Sequence, residues 1–596
     1  MTASAPNSTR ARPAPRAGGF GSEPNPLLLR ELRQSLRVPR LPWAIAAAVA
    51  ILGFGMISFS SREGLFGRPA QLGASIFAVF VNVLLLYVGM VGPATAATAI
   101  ASEREGRTLE PLLLTGLSPL EIARGKFLAA YGMLTLQVVA MLPLAAVPLL
   151  FGGVGTSELV VATVWVLVFA AVAVAFGLMV ASRAQTMRGA LAVSIILPAT
   201  TIPPVIVVIS GIGEVIASRR WPFLTGGATW WTGAYGTAKF DLDYALFFLA
   251  WPIALVVLAL WLCLTLTAAN LASPNEDRSS GWKRWLVGAT ATIGLLVFFT
   301  ALRFDVAGSR MVAIFGQVLT SALAMLGVWL VAAEPLSPTR LVRARWERRG
   351  TAAIFRATGP GVIRGAFLQI ACTAALLAAC FAALAAAISS SGPRAWIGVR
   401  AAGSALPNEL PALGGLLFYT LTFDVFLVGL ASFARARKGG STANARGWSV
   451  TMAVLATLLP WLVALLTGSF DRGGRSVLVA APSPAFAVAT LVAQWDGRDD
   501  ASMVPASFVA ALAWGVLGLV LLGLAWDRAR KDADETAAVV AHTEKAIARD
   551  EEEGTFDDDD DEPEDRPPPP PPPATVIAAP AVARDEQDDE PSAASS

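Results

Sequence analysis

Apolar residues gather along this chain into twelve blocks, each near the ~20 residues a helix needs to cross a ~30 Å hydrocarbon layer. They lie at about 41–61, 75–101, 127–151, 159–181, 190–217 and 244–271 in the first half. The second half repeats the count, at about 286–302, 311–333, 365–388, 412–434, 448–468 and 505–526. The pattern predicts an all-α polytopic membrane protein of about 12 transmembrane helices. Signals are weakest at the fifth block, which holds Pro198, Pro203 and Pro204, and at the short seventh. Lys and Arg alternate between the intervening segments: one alternate set, starting with the N-terminal segment, carries 27, the other 12. Basic loops stay on the cytoplasmic side. Both termini are therefore expected in the cytoplasm, with the chain in the plasma (inner) membrane.

Composition narrows the class further. Hydrophobic residues make up 55% of the 596 and charged residues 15%, against roughly 25% charged in soluble domains. A soluble enzyme is excluded on that ground. The overall charge of +2 hides two opposed blocks: residues 1–526 have 39 basic and 22 acidic side chains, residues 527–596 have 7 and 22. The basic block is the membrane part and the acidic block is a tail. Three cysteines (Cys263, Cys372, Cys380) lie in apolar stretches without C-x-x-C spacing, and the single histidine is His542. Such spacing predicts no structural disulfide and no metal site.

The ends read differently from the spans. Residues 1–24 are expected to form a disordered arm, and no cleaved signal peptide is expected before the first apolar block. Over 25–40, Asn25 can cap and Pro26 can open a helix. Leu28, Leu29, Leu32 and Leu36 then share one face, and Arg30, Arg33 and Arg37 another, with Glu31 among them. This is an amphipathic helix suited to the membrane interface, although any juxtamembrane anchor would look alike. Beyond the last span, a short helix is expected over 527–549. Residues 550–596, with acidic runs and seven consecutive prolines, cannot bury enough apolar surface to fold.

The segment between the second and third spans carries the most information: Glu103-Arg104-Glu105-Gly106-Arg107-Thr108-Leu109-Glu110-Pro111-Leu112-Leu113-Leu114-Thr115-Gly116-Leu117-Ser118-Pro119-Leu120-Glu121. Thr108 can cap a short helix over 108–115, and Ser118 with Glu121 forms a capping box for the helix that follows. The short helix would expose Leu109, Leu112 and Leu113, which a lone loop has no reason to display.

These residues resemble the coupling-helix signature of type-2 ATP-binding-cassette (ABC) exporter permeases, in which an E-x-E-x-G-T-L-E run precedes a leucine pair. The matching positions are Glu103, Glu105, Gly106, Thr108, Leu109, Glu110, Leu112, Leu113 and Thr115. The run from Asn25 to Arg33 resembles the same family's amphipathic connecting helix. The resemblance implies a permease half over 41–271, coupled at 108–115 to an ATP-binding cassette ATPase in two copies that binds ATP and Mg. It implies an exporter subunit that is no enzyme itself. Residues 272–526 match by layout only, as a degenerate repeat or an extension. If they are an extension, a permease homodimer is expected instead.

No G-x-x-x-x-G-K-[ST] loop occurs in the chain, so the backbone cradle that a Walker loop gives to phosphates is absent. No cofactor and no nucleic acid is expected on this chain; the bilayer and the ATPase are its partners. Asp424 is the clearest intramembrane charge, either a translocation-path residue or a hydrogen-bonded structural group. Asn82, Gln137, Gln317 and Gln369 are expected to bridge helices. Other classes stay open at this stage: an ATP-independent secondary transporter, or a membrane scaffold protein.

Overall fold

The computed structural model describes Arg30, Arg33 and residues 40–63, 69–114, 117–221, 230–236, 241–273, 275–304, 306–348, 350, 356–388, 409–467, 478–495 and 502–554. Among the described residues there is no strand. The protein is all-α and polytopic, and each expected span coincides with a helix.

In the first half these are α1 (Arg40–Glu63), α2 (Pro69–Glu105), the short α3 (Leu109–Leu114), α4 (Pro119–Met141), α5 (Ala146–Phe151), α6 (Thr156–Ala181), α7 (Met187–Arg220), the short α8 (Trp230–Gly236) and α9 (Trp251–Leu271). The second half has α10 (Ser280–Arg303), α11 (Val306–Val331), the short α12 (Arg340–Arg348), α13 (Val362–Ile388), α14 (Glu409–Ala436), α15 (Thr442–Leu466), α16 (Pro484–Trp495) and α17 (Met503–Gly554). Ten helical segments among the described residues are long and apolar enough to cross a bilayer. In the expected first and fifth spans the apolar stretches so described are Ile45–Ser58 and Met187–Thr200.

Local chemistry explains the breaks. Pro143 interrupts the third span with a 3-10 turn, Leu142–Ala145, after which α5 resumes. Ser118 and Glu121 form the expected capping box at the start of α4. Before α9 the helix widens into a π-type turn, Ala245–Ala250. Pro252, lacking an N–H, cannot satisfy the carbonyl four residues back. That carbonyl, Phe248 O, accepts the Tyr235 hydroxyl at 2.6 Å, tying α8 to the sixth span. A freed carbonyl in a membrane needs such a partner.

The helix expected over 527–549 is present as the continuation of the last span within α17. No Gly or Pro lies between Leu524 and Glu553 to end it, and Asp527 pairs with Lys531 one turn on at 2.8 Å. By contact, residues 534–596 form a unit of their own, described only for its helical part.

The two halves pack alike. In the first, α1 meets α2 and α4, α2 meets α4, α6 and α7, α4 meets α6, and α6 meets α7 and α8. In the second, α10 meets α11 and α13, α11 meets α13, α14 and α15, α13 meets α14, and α14 meets α15 and α16. These pairings correspond helix for helix, while α9 adds contacts with α4 and α6 in the first half. Each half has its own apolar core, although Trp221 and residues of α9 join the second. The halves touch along α9–α10 and α7–α11.

Three of the four expected bridging side chains do bridge. Gln137 accepts from Tyr87 of α2 at 2.8 Å, Gln317 donates to Thr420 of α14 at 2.5 Å, and Gln369 donates to Ala324 O of α11 at 3.5 Å. Asn82 instead donates to Ala78 O within its own helix. A short amide satisfies itself locally when no partner faces it.

Candidate functional site

The last turn of α2 is fastened on three sides. Glu103 pairs with the fully buried Lys126 of α4 at 2.8 Å, and Lys126 also donates to Ala99 O at 2.9 Å. Arg104 donates to Ser182 O at 2.9 Å and to Ala184 O, just past the end of α6. Glu105 accepts from the Met187 N–H at 2.6 Å, at the start of α7. Each charge suits its site: a guanidinium at orphan carbonyls of a helix C-terminus, a carboxylate at an orphan amide of an N-terminus. Glu103 and Glu105 thus spend their charge inside this chain.

The chain then turns. Gly106 N–H donates to Ser102 O and Thr108 N–H to Glu103 O, both at 2.9 Å. Arg107 takes φ +53 in this turn. Counted from Glu103, the glycine of the E-x-E-x-G-T-L-E pattern falls on position 107, where this sequence has arginine and places its glycine one residue earlier. A left-handed non-glycine residue costs roughly 1–2 kcal/mol, and glycine's extra chain entropy returns roughly 0.5–1 of that. Arg107→Gly should therefore stabilise the purified protein by about 0.5–1 kcal/mol, read as a small rise in unfolding temperature.

Helix α3 agrees with the expected 108–115 to within a residue at each end, but its face is different. Leu112 is buried and belongs to the apolar core of the first half, whereas Leu114 is 85% exposed. Leu112 was expected outside; a six-residue helix needs one leucine as its anchor, and Leu112 is it. Thr108 and Pro111 are exposed. The side chains of Leu109, Glu110 and Leu113, and Thr115 altogether, lie outside the described residues. Arg30 and Arg33 are helical and exposed, while Glu31 and Arg37 lie outside the described residues.

The second half holds a group that sequence reasoning missed. Glu334, just beyond α11, occupies the place that Glu103 occupies at the end of α2. It is 2% exposed and accepts from Trp282 Nε1 at 2.9 Å, Gly361 N–H at 2.9 Å and Lys283 Nζ at 3.2 Å. Lys283, fully buried, also donates to Gly359 O at 2.7 Å. Gly361 sits at φ +140, open only to glycine. Arg435, at the end of α14, donates to the Glu334 carbonyl at 3.3 Å. The wording around Glu334 gives no hint of this, because its partners come from α10 and from the segment before α13. Beside it, α12, α13 and α17 enclose a basic cleft of about 620 Å³ that includes Arg343, Arg356, Arg364 and Arg530.

Asp424 lies inside the second half. It is 3% exposed beside Gln369 and Thr373 of α13, and its carboxylate makes no hydrogen bond of good geometry. A separate apolar cleft of about 790 Å³ opens between the halves, and Asp424 does not line it.

A multi-pass helical membrane protein with a short helix pinned beyond its second span is the class these features define. Residues 57–232 match the family model of the ABC-2 family transporter proteins, a stretch running from within α1 into α8. That stretch of the first half is similar to the membrane part of ABC-2 transporters. Permeases of this family are membrane components of transporters that work with an ATPase subunit. A comparison with curated proteins gives no match.

Proposed function

We propose that this chain is the permease of an ABC exporter, moving its substrate out of the cytoplasm with ATP hydrolysed, with Mg, on a separate subunit. Both termini then face the cytoplasm of the cell that bears it in its plasma membrane, as the basic-loop asymmetry requires. The observation that carries the reading is the state of α3: anchored behind by Leu112 and offering Leu114 almost fully to solvent. An exposed leucine on a rigid mount is what a partner's cleft can grip. The matching helix pairings of the two halves support a fused pair of permease halves, and so two ATPase copies. The second copy would meet α12, where Leu341 is 48% exposed among arginines. The two contacts differ in charge, apolar at α3 and basic at α12.

Leu114→Asp is the test. Burying that leucine in a partner is worth about 1.5–3 kcal/mol, so its loss should weaken ATPase retention at least about tenfold. The melting temperature of the permease should not change, because Leu114 is 85% exposed. Leu112→Asp should lower both. Should Leu114→Asp retain its ATPase and export at the parental rate, α3 is not the coupling element and an ATP-independent transporter becomes the better reading.

A further inference from the structure

The apolar cleft between the halves ends in two arginines that no carboxylate among the described residues answers. Its walls come from α6, α7 and α9 on one side and α11 and α15 on the other, with Pro93 of α2 at the back. Phe176, Leu262 and Leu326 typify its lining. At one end stand Arg183, in the turn between α6 and α7, Asn270 near the end of α9, and Arg446 in the first turns of α15. Arg446 Nε donates to Trp329 O at 3.1 Å, and its guanidinium stacks over the Trp329 ring at 4.4 Å. That leaves Nη2 buried without an acceptor. Arg183 is near enough for the two like charges to repel. Ion pairs such as those at Glu103, Glu334, Asp243 and Asp527 lie elsewhere.

Two guanidiniums lining the same cleft, one stacked on an indole and short of an acceptor, want an anion with several oxygens; phosphate suits them. The remainder of the cleft is hydrocarbon-like and wants a hydrocarbon chain. A volume near 790 Å³ is that of a ligand site rather than a packing defect. Both arginines belong to the basic set of loops, the side on which anionic lipids are concentrated. We propose that this cleft binds an anionic phospholipid of the inner leaflet, its headgroup phosphate between Arg183 and Arg446 and an acyl chain along the apolar walls. The leaflet rests on the orientation given above; the binding chemistry rests on the cleft alone.

The full chain, purified in detergent and stripped of lipid, can be titrated with phosphatidylglycerol and with phosphatidylcholine, counting bound lipid by native mass spectrometry. The expected result is one tightly held phosphatidylglycerol, preferred over phosphatidylcholine by about tenfold or more, the worth of one charge-assisted contact. Arg446→Gln and Arg183→Gln should each erase most of that preference. Arg183 is exposed, so its replacement leaves the fold intact and keeps the test decisive if Arg446→Gln unfolds. Leu262→Trp, which fills the cleft, should block the lipid. Equal binding of the two lipids, or undiminished preference in Arg183→Gln, overturns the proposal. Inorganic phosphate competing as well as the lipid would mark a soluble-anion site and overturn it too. No ATPase is present, so failure of the coupling reading leaves these outcomes unchanged.

Discussion

Glu334→Ala should cost the protein about 3–5 kcal/mol, because it strands the buried Lys283 without its counter-charge. Lys283 would keep Gly359 O, while Trp282 Nε1 and the Gly361 N–H would lose their acceptor outright. Thermal unfolding in detergent should show a large drop, or the variant should fail to accumulate. Glu334→Gln keeps an acceptor and should lose less. Lys283→Met together with Glu334→Gln should recover part of the loss, since removing both charges also removes their desolvation. A single Glu334→Ala variant that melts with the parent would mean that the network contributes nothing. Glu103→Ala should act in the same direction through Lys126. It should therefore register as lost stability, not as lost ATPase contact alone.

Gly429→Leu should be comparably damaging for a steric reason. Helices α14 and α17 touch backbone to backbone: a Cβ on Gly429 would lie 2.5 Å from Gly518 O, and one on Gly518 would lie 2.6 Å from Phe426 N. No rotamer relieves a clash with backbone, so the helices must part, at about 3 kcal/mol or more. Gly523→Leu, on the same helix as Gly518 but with nothing within 4 Å, is the control and should leave the melting temperature unchanged. Equal behaviour of the two variants would show that the close approach is not needed. Small residues serve membrane helices by permitting such contact.

The helices themselves could be read from apolar run length, since hydrocarbon thickness fixes the length of a span. Capping at Ser118–Glu121 was legible for a similar reason: both partners lie within one turn. What the sequence hid were pairings across long separations. Glu334 draws on Trp282 and Gly361, 52 residues before and 27 after it, and the Gly429–Gly518 contact joins helices separated by two others. The face of α3 was equally hidden. Four of its six residues are leucine, so no polar stripe marks the outward side, and only packing decides that Leu112 turns in and Leu114 out. The arginines of the cleft came from loops whose positive charge already had a sufficient explanation in topology.

Consider, last, the grip of Glu103, Arg104 and Glu105 on α4, the close of α6 and the start of α7. In mechanical terms it removes the hinge at which α2 could swing alone. A load delivered at the 106–114 turn is shared by four helices as one stiff body, and compliance is left to the seams α7–α11 and α9–α10. On the proposed reading, a power stroke through such a frame would be a tilt of one half against the other, not a piston stroke of a single helix. The lipid-sized cleft lies along the α7–α11 seam, so such a tilt would change its width.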